Sequence, residues 1–179
     1  MIAAIDTPSV DWLALSPPIA LLAAAGVALL SALLPEWMRK GVAAAAALSG
    51  FVVAAALAVY VFDQTPTPES VLESSLARDQ LAALAQVILG VTGATVVLAS
   101  WGEPRRRNHA EYYALLATAG AGMAFFVGAD NLMTLFLGLE WFSLCLYVLV
   151  AIDSERETSL EAGLKYLIVG GFGSAVLLF

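Results

Sequence analysis

The chain has 179 residues, of which 61% are hydrophobic and only 13% charged, with a mean hydropathy of +0.87. A water-soluble domain carries roughly 45–50% apolar and about 25% charged residues, so this composition excludes an ordinary soluble domain and points to a protein dissolved in lipid. A formal net charge of −7, with no basic run larger than Arg105, Arg106 and Arg107, offers no phosphate-tracking surface and argues against nucleic acid as a partner.

A hydrocarbon core of about 30 Å needs around 20 mostly apolar residues as a helix. Six stretches meet that requirement, at about 17–34, 42–62, 81–101, 112–129, 132–151 and 160–179. Asp6 and Asp11 precede the first of them and no Lys or Arg occurs before Arg39, the reverse of a secretory signal, so the first span is read as a retained anchor. Pro17 and Pro18 suit its first turn, and Pro35 closes it.

An acidic loop with Pro66 and Pro68 follows span two, Pro104 follows span three, and "GADN" (128–131) makes a tight turn after span four. Span six opens with "TSLE", in which Thr158 and Glu161 have the spacing of a capping box. Gly120 and Gly122 on span four, and Gly163, Gly170, Gly171 and Gly173 on span six, suit close helix packing. Trp12, Trp37, Trp101, Tyr112 and Tyr113 read as interfacial anchors.

The basic residues set the orientation. Arg39 and Lys40, then Arg105 to Arg107, then Arg156 fall in the loops after spans one, three and five, so those loops face the cytoplasm and the N-terminus lies outside. His109, beside Glu111, is expected to be a solvated residue at the cytoplasmic edge, with proton entry as its alternative use. The single cysteine, Cys145, reads as a small hydrophobe, and one Cys with one His provides neither a disulfide framework nor a Cys/His metal site within this chain.

The stretch "TLFLGLEWFSLCLYVL" (134–149) sets one carboxylate, Glu140, in the middle of an apolar span. An ionised acid at that depth costs about 2.5–3.5 kcal/mol on insertion scales, a cost the flanking Leu and Phe residues can carry but do not explain. Helical spacing continues a polar stripe from Glu140 through Ser143 to Tyr147. A neutral glutamic acid gluing two helices is one reading. A proton-relay site is the preferred one, because intramembrane acids mark function by default.

Lys165 in span six is the partner to test, since burial and a nearby cation pull a carboxyl's protonation in opposite directions. Glu161, four residues before Lys165, competes for it in the favoured order, and a lysine this near the interface can also snorkel outward.

Two motifs, "NLMTLFLGLEWFSLCLYVL" (131–149) and "EAGLKY" (161–166), resemble the antiporter-like membrane subunits of respiratory complex I, subunit N of the bacterial proton-pumping NADH:quinone oxidoreductases most of all. The likeness runs over residues 111–175. It implies an all-α integral membrane protein of about six transmembrane helices, the first part of an antiporter-like inverted-repeat fold. Residues 1–110 would form an N-terminal three-helix membrane segment, and 111–179 the start of the proton-translocating repeat.

The resemblance also assigns roles. Glu140 would carry protons, Lys165 would sit close to it, and Ser143 and Tyr147 would support the polar stripe. Flavin and iron–sulfur clusters would lie in partner subunits, with none bound by this chain, and quinone would be a substrate of the complex. Other membrane-arm subunits and the bilayer of the bacterial inner membrane would be the partners. Family members continue through a second repeat, so a piece of a longer protein is expected here, without the lysines of the later helices. A multisubunit cation/proton antiporter, a membrane-bound hydrogenase and a non-catalytic six-helix scaffold are the alternatives.

Overall fold

The computed structural model describes residues 10–102 and 108–179. Asp6, Pro104 and the basic cluster Arg105, Arg106 and Arg107 lie outside the described residues. Six α-helices follow in order: α1 Trp12–Leu30, extended by a 3-10 turn Ser31–Leu33, α2 Glu36–Gln64, α3 Gln80–Ser100, α4 His109–Val127, α5 Leu132–Val150 and α6 Glu157–Leu178. Each is long and apolar enough to cross a membrane, and the chain is a multi-pass membrane protein.

The expected spans reappear with shifted ends. Helix α1 begins at Trp12 because Asp11 caps it, its Oδ1 accepting from the N–H groups of Leu13 at 2.9 Å and Ala14 at 3.2 Å. Pro17 and Pro18 therefore lie inside the helix, not in its first turn. Pro17 brings no N–H to the Leu13 carbonyl, and the Ser16 hydroxyl donates to that oxygen instead at 2.7 Å. Pro35 does close the span, standing as the N-cap of α2.

The capping box expected at α6 does not form. The helix starts at Glu157, the Ser159 hydroxyl donates back to the Val150 carbonyl at 2.8 Å, and Glu161 turns forward to Lys165. An ammonium one turn ahead competes successfully for the carboxylate that would have reached back.

Helices α1 to α4 form a bundle around the ring of Phe51, which is 3% exposed. Gly93 of α3 and Gly120 of α4 face that ring so closely that a Cβ on either would overlap it. These two glycines are the notches that admit an aromatic ring between three helices. Helix α5 packs on α4, and α6 packs on α5, so the bundle thins from a four-helix core to a single outer layer.

Where an acidic loop was expected, residues 69–78 fold as an antiparallel hairpin, β1 Glu69–Val71 with β2 Leu76–Arg78. Its tip runs through Leu72, Glu73 and Ser74 at φ of 52°, 53° and 63°, a left-handed path that costs on the order of 1 kcal/mol per non-glycine residue. Tertiary bonds hold it there. Arg78 pairs with Asp11 at 2.8 Å and with Glu69 at 2.6 Å. Ser70 donates to Asp130 at 2.5 Å, Asn131 donates to the Ser74 carbonyl at 2.9 Å, and the Ala77 N–H donates to the Gly128 carbonyl at 2.8 Å. The hairpin thus joins the start of α1 to the turn between α4 and α5.

At the opposite end, Asn108 donates to the Ile152 carbonyl at 3.1 Å and ties the start of α4 to the end of α5. Trp12, Trp37 and Trp101 are exposed, and Tyr112 is half-buried. Tyr113 is not an anchor: it is fully buried, edge-on to Tyr112, with its hydroxyl 3.4 Å from the Ser100 hydroxyl of α3. Helix α4 turns this residue inward because Ala110, Ala114 and Ala117 share its buried face.

Candidate functional site

Glu140 is the ninth of the nineteen residues of α5, about 12 Å along the helix from its start at 1.5 Å per residue. That depth follows from the cap: Asn131 accepts from the Thr134 N–H at 2.8 Å, and the same residue is bound to the hairpin tip. The register of α5 is thereby fixed against the bundle.

Two glycines press α5 onto α4 on either side of Glu140. A Cβ on Gly138 would meet the Phe126 backbone at 2.8 Å, and a Cβ on Gly122 would meet the backbone nitrogen of Phe142 at 2.9 Å. Phe125 against Trp141, with ring centroids at 5.9 Å, and Phe126 against Phe142, at 5.6 Å, complete the contact. The acid therefore stands beside a tightly packed helix crossing.

Glu140 is half-buried, and its Oε1 atom is shut off from solvent with no hydrogen-bond partner among the described residues. A buried acceptor left in this condition costs about 1–3 kcal/mol, more if charged. A hydrogen-bond donor brought to it would remove that cost.

The rest of the stripe divides. Ser143 is half-buried, Tyr147 is buried, and among the described residues no hydrogen bond joins Glu140, Ser143 and Tyr147. Tyr147 belongs to the α5–α6 interface: its hydroxyl seats against Gly170, and its ring meets Tyr166 edge-on at 4.9 Å. Cys145 is buried in α5, as its reading as a small hydrophobe implied.

Lys165 is held by Glu161, Nζ to Oε1 at 2.6 Å, with 72% of its side chain exposed. No ion pair joins it to Glu140 among the described residues. The cause is rotational. Helix α6 meets α5 through Gly163, which sits on Ala151, and through Gly170, which sits on Tyr147. At 3.6 residues per turn these share one face, and Lys165, two positions beyond Gly163, points about 160° away from Gly163 and about 140° away from Gly170. Gly171 and Gly173 of the same helix have open space around them, so only half of the glycine set expected for packing is used inside this chain. Gly120 and Gly122 both serve close packing as expected.

Sequence reasoning missed the hairpin cluster Asp11, Glu69, Arg78, Asp130 and the buried Gln86. Arg78 carried a signal: it is the one basic residue in a loop otherwise assigned to the acidic side, which marks it as a structural charge with carboxylate partners.

Residues 129–179, which include Glu140 and Lys165, match the family described as NADH:quinone oxidoreductase/Mrp antiporter, transmembrane. The chain is 34% identical over 157 residues to NADH-quinone oxidoreductase subunit N of Hirschia baltica, covering 86% of this chain and 33% of that protein. It is 35% identical over 166 residues to the subunit N of Geotalea uraniireducens, covering 90% of this chain and 34% of that protein. The chain thus spans about a third of the length of the curated relatives it matches. Among solved structures, a chain of the membrane-bound sulfane sulfur reductase, an archaeal respiratory membrane complex, superposes with a TM-score of 0.78 at 18% identity, covering 92% of this chain and 35% of that one. That likeness concerns the fold, which is antiporter-like. The resemblance read from "NLMTLFLGLEWFSLCLYVL" and "EAGLKY" is borne out.

Proposed function

We propose, for a chain similar over most of its length to subunit N and matching the antiporter family at its acidic helix, a place in the membrane arm of a proton-pumping NADH:quinone oxidoreductase. Its part is proton translocation coupled to electron transfer from NADH to quinone. The neighbours are other membrane-arm subunits, and the setting is a bacterial inner membrane. The observation that carries this reading is Glu140, an acid at mid-helix with one oxygen buried and, among the described residues, unpartnered, beside the tightly packed α4–α5 crossing.

Glu140 is the proton carrier. As a carboxylate it takes up one proton on an oxygen, becomes a neutral acid that the surrounding apolar side chains tolerate, and releases the proton when a donor or cation returns beside it. Lys165 modulates this exchange. Its ammonium rests on Glu161, on the face of α6 turned away from α5, so its influence on Glu140 in this proposal acts through the electrostatic field and not through contact.

Redox chemistry falls to partner subunits in this reading. An iron–sulfur cluster is held by four thiolates, and Cys145 is the only one this chain has. Flavin and iron–sulfur clusters belong to those partners, and quinone is a substrate of the complex.

The direct test is a native gel of gently solubilised membranes with this chain tagged, stained for NADH dehydrogenase activity. Co-migration with a very large active band supports the proposal. A tagged band in a large complex inactive toward NADH moves the assignment to an antiporter, a hydrogenase or another respiratory complex, and a band running alone leaves the scaffold reading.

A further inference from the structure

We propose that the recess between α1, α3 and α4 beneath the hairpin binds a single structural water molecule, held between the Ala14 carbonyl and the side-chain amide of Gln86. The two prolines of α1 raise the need. Pro17 and Pro18 bring no N–H to the carbonyls of Leu13 and Ala14. The Ser16 hydroxyl serves Leu13 at 2.7 Å, and no second hydroxyl stands in the same position to serve Ala14.

Gln86 of α3 lies in the same recess. It is 8% exposed, and its Nε2 donates to the Ala124 carbonyl of α4 at 3.0 Å. That carbonyl is open to it because the Gly128 N–H, four residues on, bonds to Phe125 instead, at 3.3 Å. Since Ala124 can only accept, the NH2 of Gln86 must point at it, and Oε1 is left to accept from something else. Ala14 and Gln86 line one small space, each with an acceptor to satisfy, and a water molecule carries two donors.

The space suits one water. Ala14, Pro18, Gln86 and Ala124 line it together with Leu76 and Ala77 of the hairpin, and it gives the centre of a water molecule about 20 Å³. A single water needs roughly 10–15 Å³ on that measure and two to four polar partners, while an acyl chain needs far more room. The Ala77 N–H, which could have entered the recess, is engaged by Gly128 at 2.8 Å.

The test is a high-resolution cryo-EM map of the protein purified from its own membranes with whatever it assembles with. Density for one water within hydrogen-bond distance of Ala14 O and Gln86 Oε1 is expected. A map resolving neighbouring waters but none here, or one with a lipid carbon in the recess, overturns the proposal. Pro18→Ala returns an N–H to Ala14 and is expected to abolish that density, and Gln86→Leu to do the same. Because Pro18→Ala suits a helix interior, its map decides the matter even if Gln86→Leu fails to fold, and density that persists in it overturns the Ala14 contact.

Discussion

Asp11 illustrates how much one side chain can fix. Through Oδ1 it caps α1, and through Oδ2 it binds Arg78 of the hairpin, so the helix start and the hairpin position depend on the same carboxylate. Asp11→Ala removes both contacts, and loss of the cap alone costs about 1 kcal/mol. A lower thermal midpoint in detergent is expected, with Asp11→Asn falling less because its amide oxygen still caps. Equal losses for the two variants would mean the ion pair alone matters. Glu140 was legible in the sequence because an acid within an apolar span announces itself. The partner of Lys165 was not, because it depends on which face of α6 meets α5. The seven-residue spacing of Gly163 and Gly170 was the available signal, and it places Lys165 on the far side. Lys165→Gln is therefore expected to leave stability nearly unchanged, since it removes only an exposed pair with Glu161. A changed proton-pumping rate at unchanged stability would then report on its functional role.

Among the elements, glycine positions decide which helices touch. Gly138 has the Phe126 backbone 2.8 Å from where a Cβ would stand, whereas Gly171 has nothing within 4 Å. Gly138→Leu is expected to pry α5 from α4 and lower the thermal midpoint by several degrees, and Gly171→Ala to leave an isolated chain unaffected. Differential scanning of the two purified variants checks this, and matched losses would contradict the packing described. The helices themselves were legible from hydropathy and breakers, because a bilayer demands long uninterrupted apolar helices. The hairpin was not, since its strands are three residues long and its tip uses left-handed Leu72, Glu73 and Ser74, none of which announces such a turn. Tertiary bonds from Asp11, Asp130 and Asn131 create it, and those join residues up to 67 positions apart.

For the whole molecule, the charge pattern predicts an orientation with the hairpin outside and the α5–α6 connection in the cytoplasm. In a background with Cys145→Ala, Ser74→Cys is expected to react with a membrane-impermeant maleimide in intact cells, and Ser154→Cys only after permeabilisation. The reverse pattern would invert the molecule. The fold is a four-helix core bearing α5, with Glu140 at mid-helix, and then α6, most of whose surface is exposed. The depth of Glu140 is fixed by the α4–α5 contact, and its carboxyl stays half-buried. The measurement that tests its proposed proton-carrying role most directly is proton uptake by inverted membrane vesicles energised with NADH, with Glu140→Gln in place of Glu140. The complex is expected to assemble at normal abundance on a native gel while its proton uptake is lost or greatly reduced, whereas undiminished pumping by a normally assembled Glu140→Gln complex would contradict a proton-carrying role for this residue.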